Sequence, residues 1–213
     1  MTLRGTQVIY DENDILLYNK IIETCKNNAR AFNYKEIIIP QIWDAQTFID
    51  KAGLEIKNQM YIFNDKKDRE ICLIPEVTGI IQKLYCDTWQ QSAKKPVMLF
   101  YLSRCYRYER PQAGRYREFT QFGIEHLGGK QPEDKELIMQ MLLEILQELN
   151  VSFKLIDSVK RGLSYYTEDG FEIECETLGA QKQIAGGGRY NEGIGWAIGI
   201  ERLMLALKNE LIK

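Results

Sequence analysis

The stretch from Arg104 to Glu125, RCYRYERPQAGRYREFTQFGIE, constrains this chain more than any other. It packs five arginines into its first fourteen residues, interleaves them with tyrosines, and breaks at Pro111 and Gly114. Arginines at that density are poor core material, while a planar guanidinium suits a pair of anionic oxygens. Charge alone leaves two readings open: a solvated basic hairpin, or a site that handles phosphate. Side chains alternate faces along a strand, so Arg107 and Glu109 share one face if a strand continues through 103–109. On the return, Arg117, Phe119, Gln121, Gly123 and Glu125 share a face, opposite Thr120, Phe122, Ile124 and His126. Polar groups in that number on one strand face are costly unless a ligand or each other satisfies them.

The 213 residues suffice for one good core. Hydrophobic and charged fractions of 45% and 27% are those of a soluble globular protein. The net charge of -2 supplies no global pull toward nucleic acid, so any such contact must be local. Five widely spaced cysteines and a single histidine, His126, argue against a zinc or disulfide framework. The N-terminus lacks the apolar run of a signal peptide, and no stretch is apolar enough to span a membrane. A cytoplasmic, reduced protein is expected, with residues 1–213 forming one domain because no repeat or linker-like segment interrupts them.

In chain order, Ile15, Tyr18, Ile22, Cys25, Ala29 and Phe32 predict one stripe of an amphipathic helix over 14–32. A β-branched strand from Glu36 to Pro40 is expected next, either as core or against a partner subunit. Met60 to Ile74 reads as a hairpin around a charged turn. Glu76 and Thr78 fall at the start of a following helix, where capping is their ordinary role. Pro132 to Leu149 is predicted as a helix packed through leucine, isoleucine and methionine, and 151–156 as extended. Gly186-Gly-Gly is either a tight turn or a place where backbone approaches a ligand. His126, on the apolar-leaning face, is expected to be packed or at an edge and not to serve as a base.

Four separated segments together resemble the catalytic core of histidyl-tRNA synthetases, a class II aminoacyl-tRNA synthetase family. Residues 107–125 are similar to the second class motif in its histidine-specific form. Arg161-Gly-Leu-Ser-Tyr165-Tyr166 and Gly186-Gly-Gly-Arg-Tyr190 resemble two signatures peculiar to histidine enzymes. Gly199-Ile-Glu-Arg202 resembles the third class motif, and Phe32 to Pro40 the first, which in the family builds a dimer interface. The resemblance implies an α+β fold, a largely antiparallel sheet flanked by helices, and a homodimer. It also implies ATP and Mg²⁺, with histidine attacking the α-phosphorus to form an adenylate.

The family's roles carry over by motif. Arg107 would hold the α-phosphate and Arg161 would clamp it beside the histidine carboxylate. Arg202 would grip the distal phosphates, helped by Arg115. Phe119 would stack on adenine while Glu109 meets its amino edge. Glu76, Thr78 and Gln121 would take the α-ammonium, Glu125 and Tyr166 the two imidazole nitrogens, with Tyr165 and Tyr190 shaping the pocket. Arg107, Arg161, Arg202 and Gln121 form the expected catalytic set, and no side chain is assigned to the metal. The histidyl group is expected to pass to the acceptor end of tRNA. Two other readings are an adenylating enzyme with a non-tRNA acceptor and a non-catalytic regulator of histidine biosynthesis. A regulator has no use for phosphate-clamping arginines.

Some residues depart from the family pattern. Ile74 stands where the family has arginine, and Ser164 and Asn191 where it has aspartates. The insertion between the second motif and the Arg161 signature is absent, and the sequence carries no counterpart of the anticodon-binding domain.

Overall fold

Asp11 opens the first helix. Its carboxylate accepts from the amides of Asn13 and Asp14 at 3.0 and 3.2 Å, and α1 runs over Glu12–Ala31. The computed structural model describes residues 2–129, 132–160, 162–168, 170–179 and 181–210; Arg161 lies outside the described residues. The buried line of α1 is Ile21, Thr24, Cys25 and Ala29, whereas Ile15 stays 40% exposed. The expected stripe largely holds: Cys25 and Ala29 are buried, Tyr18, Ile22 and Phe32 pack against the same core, and Ile21 joins them in place of Ile15.

The strand expected at 36–40 is shorter. Only β1 (Lys35–Glu36) pairs, parallel to β5, and Ile37 adds one bond to Phe100 O at 2.9 Å. The chain then leaves the sheet ahead of Pro40, which has no amide to donate, and Ile38 is left 88% exposed. A small sheet follows in the order β2 (Ile42–Asp44), β4 (Glu70–Leu73), β3 (Tyr61–Asn64), so the hairpin read at 60–74 forms. It is joined by α2 (Ala45–Ala52), capped by Asp44, and by α3 (Thr78–Leu84). The helix α3 runs on through one wide turn into α4 (Gln90–Ser92).

Among the described residues, the main sheet has seven strands in the order β1-β5-β6-β10-β9-β8-β7, antiparallel except for β1 against β5. Its long strands are β5 (Val97–Tyr106) and β6 (Glu118–Leu127). After α5 (Pro132–Glu148) come β7 (Lys154–Val159), β8 (Gly170–Glu174), β9 (Gln183–Tyr190) and β10 (Gly193–Gly199), then α6 (Ile200–Glu210). The expected α+β class holds.

One sheet face carries Phe100, Phe122, Ile124, Trp196 and Ile198 into a core with α1, α5 and α6. The other carries Tyr101, Cys105, Leu127 and Tyr190 into a second core with α2, α3 and the small sheet. That second core covers only part of its face and leaves a cavity beside it. The glycine triplet is strand, not a turn. A Cβ on Gly187 would lie 2.2 Å from Gly195 O and 2.7 Å from Trp196 Cβ, so only glycine lets β9 and Trp196 approach.

Candidate active site

The open part of the sheet forms the floor of a cavity of about 620 Å³. Its lining includes Glu76, Thr78, Arg107, Glu109, Arg115, Phe119, Gln121, Tyr165, Tyr166, Tyr190 and Arg202. Every residue given a binding or catalytic role from the family resemblance thus lines one cavity, with two exceptions. Arg161 is outside the described residues, and Glu125 lies just beneath the wall, 1% exposed.

The strand alternation explains this. Phe119, Gln121 and Glu125 stand on one face of β6, opposite Cys105, Ser103 and Leu99 of β5 in register. On the opposite face, Thr120 bonds Tyr18 at 3.0 Å, and Phe122 and Ile124 enter the helix-side core. The β5 strand ends at Tyr106 instead of reaching 109. The Arg107 amide still donates to Arg117 O at 2.9 Å, but the Glu109 amide turns back to Arg107 O at 2.9 Å. This turn starts a loop closed by paired bonds between Gln112 and Arg115.

One end of the cavity is cationic. Arg107 is held by Pro75 O at 2.9 Å, with its guanidinium 5.3 Å from the centre of the Phe119 ring. Arg202, at the start of α6, donates to Gly114 O at 3.1 Å, Gln183 O at 2.8 Å and Gln181 Oε1 at 3.2 Å. Arg115 pairs with Glu109. Burial, and then the like charges of Arg115 and Arg107, hold the Arg202 pKa below its usual value, with Glu109 opposing. Like charges that act on one another in this way are relieved by an anion bound nearby.

The other end is a buried carboxylate pocket. Glu125 accepts from Thr78 Oγ1 at 2.6 Å and from the Tyr190 hydroxyl. Burial nevertheless pushes its pKa up to about 8, against the lowering by those two donors. Glu76 caps α3 by accepting the Gly79 amide at 2.9 and 3.2 Å, so its ordinary role is realised while it also faces the cavity. Its pKa is likewise raised, chiefly by burial. Tyr165 stacks obliquely on Tyr166 at 4.6 Å and meets Tyr190 edge-on at 6.1 Å, making an aromatic wall. A Cβ on Gly195 would lie 2.2 Å from Glu125 Oε2, and one on Gly123 2.3 Å from the Tyr101 hydroxyl. Absent side chains at these two positions make room for the pocket's polar groups.

His126 is buried on the helix side, its Nδ1 2.9 Å from the Tyr34 hydroxyl, and takes no part in the cavity. Residues that sequence reasoning passed over are Glu201, Glu172, Glu174 and Cys105. Buried Glu201 accepts from the Thr120 amide at 2.8 Å and from Thr120 Oγ1 at 2.7 Å, with Arg104 3.5 Å away, and so fixes β6 to α6. Cys105 donates to Gln121 Oε1 at 3.3 Å. Glu172 and Glu174 alternate with Phe171 and Ile173, and the fold turns the glutamate face toward the cavity. Among the described residues, Ile74 is fully buried, which accounts for an apolar residue there. Ser164 bonds Lys51 O at 3.2 Å and so ties the Tyr165 loop to α2.

A family profile described as Histidyl-tRNA synthetase matches residues 11–157. The histidine--tRNA ligase of Sulfurisphaera tokodaii is 45% identical over 154 residues, covering 72% of this chain and 35% of that protein. The histidine--tRNA ligase of Clostridioides difficile is 29% identical over 307 positions, covering 92% of this chain and 71% of that protein. That alignment is longer than the 213 residues here, so the relative has segments without counterpart in this chain. The structure of apo S. aureus histidyl-tRNA synthetase superposes with a TM-score of 0.80 at 29% identity, covering all of this chain and 71% of that one. With the two-ended cavity and these matches together, the chain belongs to the histidyl-tRNA synthetase family of class II synthetases.

Proposed function

We propose that this protein activates histidine with ATP, forming histidyl-adenylate and pyrophosphate, and passes the histidyl group to the acceptor end of tRNA. The observation that carries the reading is one cavity lined by Arg107, Arg115 and Arg202, with buried Glu125 bonded to Thr78 just beneath its wall. The amino acid's carboxylate is ionised near neutral pH, so the first step needs no base. It needs stabilisation of charge growing on the α-phosphoryl oxygens, which fixed donors supply without reorganising. Arg107, locked to Pro75 O, would hold the α-phosphate, and Arg202 and Arg115 the distal phosphates. Phe119 would stack on adenine, with Glu109 at its amino edge. Arg161, by the family resemblance, would bridge the α-phosphate and the incoming carboxylate.

At the other end, Glu125 and Tyr166 would meet the imidazole nitrogens. A carboxyl with a pKa of about 8 carries a proton in the empty site and can share one with an entering imidazole. A pocket built to pair both ring nitrogens rejects apolar analogues, because its own buried groups would be left unpaired. Glu76, Thr78 and Gln121 would receive the α-ammonium; Gln121 Oε1 has a second lone pair beside the bond from Cys105.

Mg²⁺ would enter with ATP. It is commonly held by one or two carboxylates plus substrate phosphates, and Glu172 and Glu174 on the cavity wall fit that demand. There the ion would neutralise phosphate charge. We further propose that residues 1–213 act as one catalytic unit in a cytoplasmic homodimer. Exposed Ile38, beside the short β1, would lie in the subunit contact. No helix among the described residues is long and apolar enough to cross a membrane.

The test is transfer of labelled histidine to total tRNA in the presence of ATP and Mg²⁺. Acid-stable charging of a single tRNA species is the expected result. Adenylate formation without transfer would refute the tRNA acceptor while keeping the activation step.

A further inference from the structure

Of the five arginines in the 104–117 stretch, Arg107 and Arg115 line the cavity, whereas Arg104, Arg110 and Arg117 do not. The Arg117 guanidinium lies 4.2 Å over the Tyr108 ring, and its Nε donates to Glu109 O at 3.1 Å. Its carbonyl accepts from the Arg107 amide at 2.9 Å. Arg117 is therefore a buckle at the base of the loop that carries Arg107, Glu109 and Arg115. Its own amide, just ahead of the first residue of β6, donates to Gly5 O at 2.6 Å.

Gly5 sits in a turn built for that contact. The Thr6 amide and hydroxyl both bond Leu3 O, at 3.0 and 2.8 Å, and Gly5 has φ +85°, the geometry of the third position of a type II turn. A Cβ there would come within 2.8 Å of Arg117 Cγ and 3.0 Å of Pro111 Cγ. The missing side chain thus serves twice, in the turn's backbone angle and in its seat against the arginine loop. This contact lies outside the cavity, a hundred residues away in sequence from the loop it touches.

We propose that the Leu3–Thr6 turn, acting through Arg117, is a positioning element that holds the 107–117 loop in its nucleotide-binding geometry. The inference rests on the ATP role proposed above for Arg107 and Arg115. Gly5 and Arg117 are positioning residues here, and neither touches the reacting atoms. Misplacement of a phosphate-holding group by about an ångström is enough to lower a rate by orders of magnitude. The turn should therefore govern ATP use and leave histidine recognition alone.

The experiment compares the wild type with Gly5→Ala and with the milder Thr6→Ala, which removes only the hydroxyl bond to Leu3. Pyrophosphate exchange is measured against ATP and against histidine, alongside amide hydrogen exchange of the ligand-free 109–117 segment. Gly5→Ala is expected to raise the KM for ATP on the order of tenfold, with that for histidine within about twofold. Thr6→Ala should move the same way by less, and both should speed exchange in the loop. Equal changes in both KM values, or unchanged exchange in 109–117, would overturn the proposal. Absence of pyrophosphate exchange in the wild type would sink the activity reading instead, and the hydrogen-exchange comparison would still decide the role of the turn.

Discussion

Replacing Glu125 with glutamine should separate the energetic cost of the proposed histidine pocket from its use. In the folded, empty protein, burial raises the Glu125 pKa from 4.5 to about 8. A folded state that binds the proton more tightly than the unfolded chain is stabilised at low pH. That stability is present below about pH 4.5, is lost as pH rises toward 8, and changes no further above it. Within that window the group should cost on the order of 1 kcal/mol per pH unit. Glutamine fills the same space, can still accept from Thr78 Oγ1, and does not titrate. Urea unfolding without ligand, run in steps from about pH 5 to about pH 9, should show the Glu125→Gln protein gaining on the wild type by roughly 1 kcal/mol per unit before the difference levels off. Glu76, also raised by burial, contributes its slope to both proteins and cancels to first order. A difference independent of pH would refute the reasoning, since Glu125 would then be ionised at no cost. Histidine should stabilise the wild type and not the variant.

Further perturbations test other parts of the account. Arg202→Ala removes the proposed phosphate donor and the anchor of the 114 loop, and should cost about 3 kcal/mol in kcat/KM for ATP by exchange kinetics. Gly195→Ala places a methyl group 2.2 Å from Glu125 Oε2 and 2.5 Å from Ile124 O, so histidine KM should rise steeply, or the protein lose stability, by titration and thermal melting. Glu201→Gln keeps the shape but weakens the bonds to Thr120 and the attraction of Arg104. A loss of about 1 to 3 kcal/mol in chemical denaturation is expected.

What was legible in the sequence was set by local periodicity. Alternation along 117–125 was enough to put Gln121 and Glu125 on one face, and that face is the cavity floor. The hairpin at 60–74 and the helix at 132–149 were equally plain, because their patterns repeat over many residues. The errors arose where neighbours decide. Ile37, Ile38 and Ile39 have strand propensity, but Pro40 and the edge of the sheet leave them only one further hydrogen bond. Gly186 to Gly188 permitted a turn, and only the approach of Gly195 and Trp196 shows that they are strand. Glu201 could not be ranked from its place beside Arg202. Its role depends on Thr120, eighty-one residues away in sequence.

The central claim is that Glu125 and the guanidinium cluster serve one reaction. ATP–pyrophosphate exchange driven by each amino acid in turn tests it most directly. The account predicts exchange with histidine, loss of it in Arg107→Ala with the fold intact by circular dichroism, and none with amino acids of similar size such as phenylalanine. A folded protein that exchanged with no amino acid, or as well with phenylalanine as with histidine, would contradict it.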